Sequence, residues 1–132
     1  MKTVLTVGVF DLLHLGHIKL FQKAKILGDC LIVAVQTDEY VYKSKPNTKL
    51  FIPLEDRKYM VESIRYVDEV LEYNTIDELV QNIEFDILAV GPDQNHLKFQ
   101  KAFEWCYQRG KKVEIIPRTE GISSSLIRQN IN

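Results

Sequence analysis

Apolar positions along this chain follow two rhythms that take turns. Short runs at residues 3–10 (TVLTVGVF), 30–37 (CLIVAVQT), 67–73 (VDEVLEY), 85–91 (FDILAVG) and 112–117 (KVEIIP) are rich in Val, Ile and Leu and predict strands. The runs at 30–37 and 85–91 are almost unbroken, as expected of strands covered on both faces. Between the runs the apolar residues recur at helical spacing. In 17–28 (HIKLFQKAKILG) these are Ile18, Leu20, Phe21, Ala24 and Leu27, with Gly28 placed to end the helix. A second helix is predicted from Pro53 as its first residue, with Glu55 and Asp56 near its positive end and Met60, Val61 and Ile64 on the apolar side. Thr75 and Glu78 mark the start of a short helix over 75–83, and further helices are predicted over 98–110 and 123–131. The stretch 42–53 (YKSKPNTKLFIP) is polar, basic and interrupted by proline, which predicts a mobile loop.

Strand–helix alternation throughout implies parallel strands joined by helical crossovers. The expected fold is therefore a Rossmann-like α/β three-layer sandwich on a parallel sheet of about five strands. At 132 residues, a single domain over 1–132 is the simplest organisation, burying roughly 65–70% of its unfolded surface. No internal repeat or linker interrupts it.

Composition narrows the partners. Seventeen Lys+Arg against eighteen Asp+Glu leave a net charge of −1, so no global field points to nucleic acid or a membrane surface. An anion site must then be a local cluster. There is no long apolar span and no basic-then-apolar leader, and the expected location is the cytoplasm. Cys30 and Cys106 each sit in an apolar stretch and are read as structural thiols.

In open α/β sheets ligands bind beyond the C-terminal strand ends, near the reversal of strand order. Those ends here are Gly8-Val9-Phe10-Asp11, the Lys43–Lys49 loop, Gly91-Pro92-Asp93-Gln94 and Arg118-Thr119-Glu120-Gly121. Neither G-x-G-x-x-G nor a P-loop pattern follows the first strand, which excludes those phosphate sites. His14 and His17, three apart across Gly16, would share one helix face at a helix N-terminus, where free N–H groups favour a phosphate. Gly16 would let a ligand approach the backbone. A core histidine with a cap, or a metal pair completed by Asp11, are the competing readings of the same residues.

The segment GVFDLLHLGH resembles the G-x-F-D-x-x-H-x-G-H signature of the HxGH nucleotidyltransferase superfamily. IRYVDEV (64–70) and RTEGISSS (118–125) resemble signatures of its small cytidylyltransferase branch, typified by bacterial glycerol-3-phosphate cytidylyltransferase. The resemblance runs over essentially the whole chain with the landmarks in order. It implies transfer of CMP from CTP to a phosphorylated small acceptor, with release of pyrophosphate and help from Mg²⁺. Such catalysis is mostly in-line positioning and charge neutralisation, because the attacking phosphate is already an oxyanion. His14 and His17 would then donate to the triphosphate, with phosphate neighbours able to hold a ring protonated.

By the same resemblance Arg118 joins the histidines in catalysis, while Gly8, Val9, Phe10, Gly16, Asp93, Thr119, Ser123 and Ser124 bind nucleotide. Arg65 binds the acceptor or nucleotide phosphates, with Arg57 eight residues earlier placed to join it on the acceptor. Asp11 is the candidate for holding Mg²⁺ or orienting a histidine, with a structural helix cap as its competing role. Lys45, just before Pro46-Asn47, is the choice among the loop lysines to meet the phosphates. Asp38 and Asp68 are read as structural, and His96 as a surface residue. Where glycerol-phosphate enzymes usually carry tryptophans, this chain has Tyr73-Asn74-Thr75 and Gly91-Pro92-Asp93-Gln94. The Asp-Gln pair is similar to that of archaeal enzymes that adenylylate flavin mononucleotide. Glycerol 3-phosphate or another polyol phosphate is the expected acceptor, feeding cell-wall or capsule precursors. ATP-dependent adenylyl transfer and a non-catalytic nucleotide-binding module are the alternatives. The branch also implies a homodimer, with Leu12, Leu13 and Leu15 offering apolar surface.

Overall fold

The protein is described here from a computed structural model covering residues 1–94 and 97–117. Strand and helix alternate as β1 (Thr3–Gly8), α1 (Leu15–Ile26), β2 (Cys30–Gln36), α2 (Asp38–Ser44), α3 (Leu54–Glu62), β3 (Glu69–Tyr73), α4 (Ile76–Asn82), β4 (Ile87–Val90), α5 (Leu97–Gln108) and β5 (Lys112–Ile115). The five strands form one parallel sheet in the order β3-β2-β1-β4-β5. Chain order therefore reverses between β1 and β4.

Successive strand residues face opposite sides of the sheet, and each side carries its own core. Leu5, Val7, Ile32, Ala34, Leu88 and Val90 pack under α4 and α5 with Leu79, Val80, Phe99, Phe103 and Cys106. Val4, Leu31, Val33, Val35, Ile87 and Ala89 pack under α1 and α3 with Phe21, Ala24 and Val61. Each fully buried Leu or Val contributes about 1.5–3 kcal/mol, so the inner strands β1, β2 and β4 dominate the stability. Thr6 is the polar exception on β1. It is fully buried, and its hydroxyl donates to Ala89 O at 2.7 Å, which ties β1 to β4 beneath the reversal point.

The expected sandwich is present, with local differences. Residues 38–44 form α2, so residues 42–44, expected within the loop over 42–53, are helical. Seven residues with one buried position, Val41, carry no readable period. Asp38 and Glu39 at its start and Lys43 at its end suit the helix dipole instead. Pro53 is the N-cap of α3 rather than its first residue. α1 begins at Leu15, two residues earlier than its apolar pattern suggests. Gly28 follows the C-cap residue Leu27, but its requirement is space. A Cβ there would lie 2.8 Å from Lys2 O and from the Val4 side chain. The predicted helix over 123–131 and His96 lie outside the described residues.

Candidate active site

The ladder between β1 and β4 ends at the pair Thr6–Ala89, and the strands part above it. Gln94 takes over there with its side chain. Its Nε2 donates to Val7 O at 2.9 Å, and its Oε1 accepts from Gly91 N at 3.0 Å. One amide thus bridges both lips of the crevice. Sequence reading noted Gln94 only for its resemblance to other enzymes. The available signal was an amide side chain, able to donate and accept at once, three residues past a buried strand's terminal glycine.

Beyond β1 the backbone turns at Phe10, which has φ 54. A left-handed residue with a large side chain is strained, and such strain persists only where surrounding contacts over-determine it. Here the ring supplies them. It is buried, meets His17 edge-on at 5.3 Å and Phe21 at 5.1 Å, and lies over Gly8. A Cβ on Gly8 would stand 2.7 Å from that ring, so glycine is needed for the ring to close over it.

His14 is the N-cap of α1, with extended backbone. Its Nδ1 accepts from Gly16 N at 3.0 Å, and the Nδ1 of His17 accepts from His14 N at 3.2 Å. This is a capping box in which two imidazoles stand where Ser/Thr and Glu usually serve. The rings stack with centroids 3.9 Å apart. The core-plus-cap reading and the ligand reading of this pair are therefore not exclusive, since each ring uses one nitrogen for the helix. Both Nδ1 atoms are acceptors, so each neutral ring carries its proton on Nε2. The Nε2 of His14 is buried and has no hydrogen-bond partner among the described residues. A buried donor without a partner costs about 1–3 kcal/mol, and it lies where the first turn of α1 holds no acidic residue to compete for an anion.

Burial lowers the pKa of His14 and, with a further contribution from the neighbouring His14, lowers that of His17 to about 4. The ligand-free rings are thus neutral donors at neutral pH, and protonation of a ring by phosphate neighbours belongs to the ligand-bound site. An added proton would have to enter at Nδ1 and displace a capping bond. Between about pH 6.5 and pH 4 the unfolded chain binds more protons at His17 than the folded one, so stability rises with pH in that window. We expect unfolding free energy to fall by on the order of 2–3 kcal/mol between pH 7 and pH 4 through this ring. Urea midpoints across that range, compared with His17→Gln, check it. Parallel profiles for the two proteins would remove the assignment.

The expected acceptor-binding arginines are placed elsewhere. Arg57 is fully buried, and its guanidinium donates to Ile52 O at 3.0 Å, Val9 O at 2.8 Å and Gln36 O at 2.8 Å, and pairs with Asp38. It is a clamp inside the protein, not an acceptor site. Arg65 is exposed in the turn before β3. Asp68, three residues on, is hydrogen-bonded to Leu31 at the beginning of β2, so Arg65 lies toward the edge of the sheet opposite the histidines. Asp68 and Asp38 have the structural roles expected, Asp68 pairing with Lys25.

Asp11 is buried and turned to the backbone. Its Oδ1 accepts from Ile52 N at 2.8 Å, and both oxygens lie 3.1 Å from Phe51 N. Among the described residues no group of three or more His, Cys, Asp or Glu side chains is arranged to hold a metal. Of the loop lysines, Lys43 pairs with Glu39 and lies over Tyr40, and Lys49 lies over Phe51. Lys45, exposed at the C-cap of α2, makes no side-chain contact of that kind among the described residues. Asp93 is exposed on the turn that Gln94 ties down. Arg118, Thr119, Ser123 and Ser124 lie outside the described residues. The described chain reaches Pro117 beside α1, with Ile116 N bonded to Val90 O and Pro117 O accepting from Lys23.

The capped pair of imidazoles thus stands at the start of α1, just past the C-terminal end of the central strand β1. The chain belongs to the cytidylyltransferase-like family, whose pattern it matches over residues 5–130. It is 42% identical over 134 residues to the glycerol-3-phosphate cytidylyltransferase of Bacillus subtilis, with 99% of this chain and 98% of that one covered. It is also 45% identical over 116 residues to the FAD synthase of Thermococcus kodakarensis, covering 86% of this chain and 76% of that one. Among solved structures, a lipopolysaccharide core biosynthesis protein from Thermoplasma volcanium superposes with a TM-score of 0.73 at 26% identity, covering 90% of this chain and 97% of that one. No helix among the described residues is long and apolar enough to cross a membrane.

Proposed function

We propose that this enzyme transfers CMP from CTP to glycerol 3-phosphate or a related polyol phosphate. An acceptor phosphate oxygen attacks the α-phosphorus, the bond from that phosphorus to the bridging oxygen breaks, and pyrophosphate leaves. The observation that carries the reading is the buried Nε2 of His14, unpartnered among the described residues and held as a donor by its own capping bond. Charge gathering on phosphate oxygens in the transition state would supply the missing acceptor, and preorganised donors stabilise such charge most. His17 offers a second Nε2–H fixed in the same way. Arg118, Thr119, Ser123 and Ser124 are proposed to bind the triphosphate from the segment beyond Pro117, with Gly8, Val9, Phe10, Gly16 and Asp93 lining the nucleotide side. Likeness to a glycerol-3-phosphate cytidylyltransferase over 99% of this chain and 98% of that one supports cytidine and a small acceptor.

Mg²⁺ is proposed to arrive with the triphosphate and to neutralise its charge. Both carboxylate oxygens of Asp11 already accept from the backbone N–H groups of Phe51 and Ile52, so an ion beside it would be held chiefly by phosphate and water. Lys45 is proposed as the phosphate-meeting lysine, because it is the one of the three without a competing contact among the described residues. A cytoplasmic homodimer completes the reading. Leu15, 51% exposed beside the histidines, is apolar surface that a second copy would cover, whereas Leu12 and Leu13 are already half-buried.

The second reading is ATP-dependent adenylyl transfer to flavin mononucleotide. The likeness to an FAD synthase and the Asp93-Gln94 pair favour it. Pyrophosphate release from each nucleoside triphosphate, with Mg²⁺ and a panel of phosphorylated acceptors, separates the two. We expect CTP with a polyol phosphate to give the fastest turnover. Faster turnover with ATP and flavin mononucleotide would replace the cytidylyl reading, and no release with any pair would leave a nucleotide-binding module.

A further inference from the structure

The segment from Asp38 to Ile52 carries the three loop lysines, and charged side chains hold it at both ends. At its start Asp38 pairs with Arg57. At its end the Arg57 Nε donates to Ile52 O, while Asp11 accepts from Ile52 N. Ile52 is thus gripped on both sides, its carbonyl by a buried cation and its amide by a buried anion. The same guanidinium holds the ends of β1 and β2 through Val9 O and Gln36 O. Between the two anchors the chain from Tyr42 to Asn47 is exposed.

The grip reaches the histidines through three consecutive residues. The Val9 carbonyl goes to Arg57, the Asp11 carboxylate goes to Phe51 and Ile52, and the left-handed Phe10 between them sets its ring on His17. A displaced segment end would therefore be felt at the residue that seats the histidine ring.

We propose that Arg57, Asp38 and Asp11 form a positioning clamp that fixes both ends of the 38–52 segment to the backbone of the first motif, so that Lys45 is presented to the triphosphate by a tethered strap. The clamp acts through other residues and touches no reacting atom. It rests on the reading of Lys45 as the phosphate-meeting lysine.

The test uses the full chain with Asp38→Ala, Asp38→Asn, Lys45→Ala and the Asp38→Ala/Lys45→Ala double variant. Asp38→Asn keeps an acceptor oxygen for the guanidinium and so protects folding. Each is measured for kcat and CTP KM, and by amide hydrogen exchange over residues 43–50 and over β2. We expect Asp38→Ala to lower kcat about tenfold with CTP KM changed less than about threefold, and Asp38→Asn to restore most of the rate. Exchange over 43–50 should quicken while β2 is unchanged, and the double variant should be within about threefold of the slower single one. Wild-type kcat in Asp38→Ala, unchanged exchange over 43–50, or losses that multiply in the double variant would each overturn the clamp. If Lys45→Ala turns over normally while Asp38→Ala is slow and loosened, the clamp stands and the lysine assignment fails. If Lys45→Ala is slow and Asp38→Ala is not, the lysine stands without the clamp.

Discussion

Replacing His14 or His17 by alanine is expected to lower turnover by roughly 10²–10⁴, the range for losing one preorganised transition-state donor. The capping box adds a condition to that experiment. His14→Ala also removes the N-cap of α1, which costs about 0.5–2 kcal/mol of stability whatever the ring does in catalysis. His14→Asn separates the two effects, because asparagine is a strong N-cap but cannot reproduce the ring's Nε2–H. We expect His14→Asn to melt within a few degrees of the parent and to turn over as slowly as His14→Ala. Recovery of turnover along with the melting temperature would return His14 to a purely structural role. Single-turnover rates at saturating CTP are the decisive measurement, since a donor needed only in the transition state lowers the chemical step more than nucleotide affinity.

Arg57→Ala should destabilise the protein by about 3–5 kcal/mol, because three carbonyls lose a charged donor at about 1–3 kcal/mol each. The side chain is fully buried, and its removal leaves Val9 O, Gln36 O and Ile52 O without their donor and Asp38 without its partner. Asp38 is 44% exposed, so water can reach its carboxylate, and most of the cost falls on the three carbonyls. A domain of this size has about 5–15 kcal/mol in all, so the variant should be only marginally folded at 37 °C. Arg57→Lys should fall between the two, because an ammonium keeps the charge but not the planar fork that serves separate carbonyls together. Urea unfolding at neutral pH measures both. A loss below about 1 kcal/mol for Arg57→Ala would mean that water replaces the guanidinium freely and that no clamp exists.

These two expectations come from different kinds of information. The histidines were legible because their signal is local. Three residues of helix put both rings on one face, and the first motif states its residues in order. The parallel sheet was legible for a similar reason, since strands covered on both faces must be apolar without alternation, as 30–37 and 85–91 are. Arg57 was misread because a helical face seen in sequence does not say what lies against it. Eight residues from Arg65 on one helix suggested a shared phosphate site. Yet α3 ends at Glu62, so Arg65 lies in the turn beyond it near Asp68 and the start of β2, while Arg57 turns inward to the carbonyls at the ends of β1 and β2. Gln94 and α2 were missed through weak local signals. A single amide carries no period, and seven residues with one buried position carry hardly more.

The sequence by itself determined the strand–helix order, the two-sided core, the paired imidazoles at a helix start and the likeness to nucleotidyl-transfer enzymes. All of these rest on neighbours a few positions apart, where backbone geometry leaves little choice. The tertiary structure alone decided which nitrogens of His14 and His17 the helix cap uses and which it leaves, that Arg57 holds β1, β2 and the lysine segment together, and that Gln94 bridges β1 and β4. Those outcomes depend on partners as much as 87 residues apart, or on which ring atom a backbone N–H happens to meet. Hydrogen bonds need atoms aligned within a few tenths of an ångström, and only the packed sheet brings such distant groups to that distance.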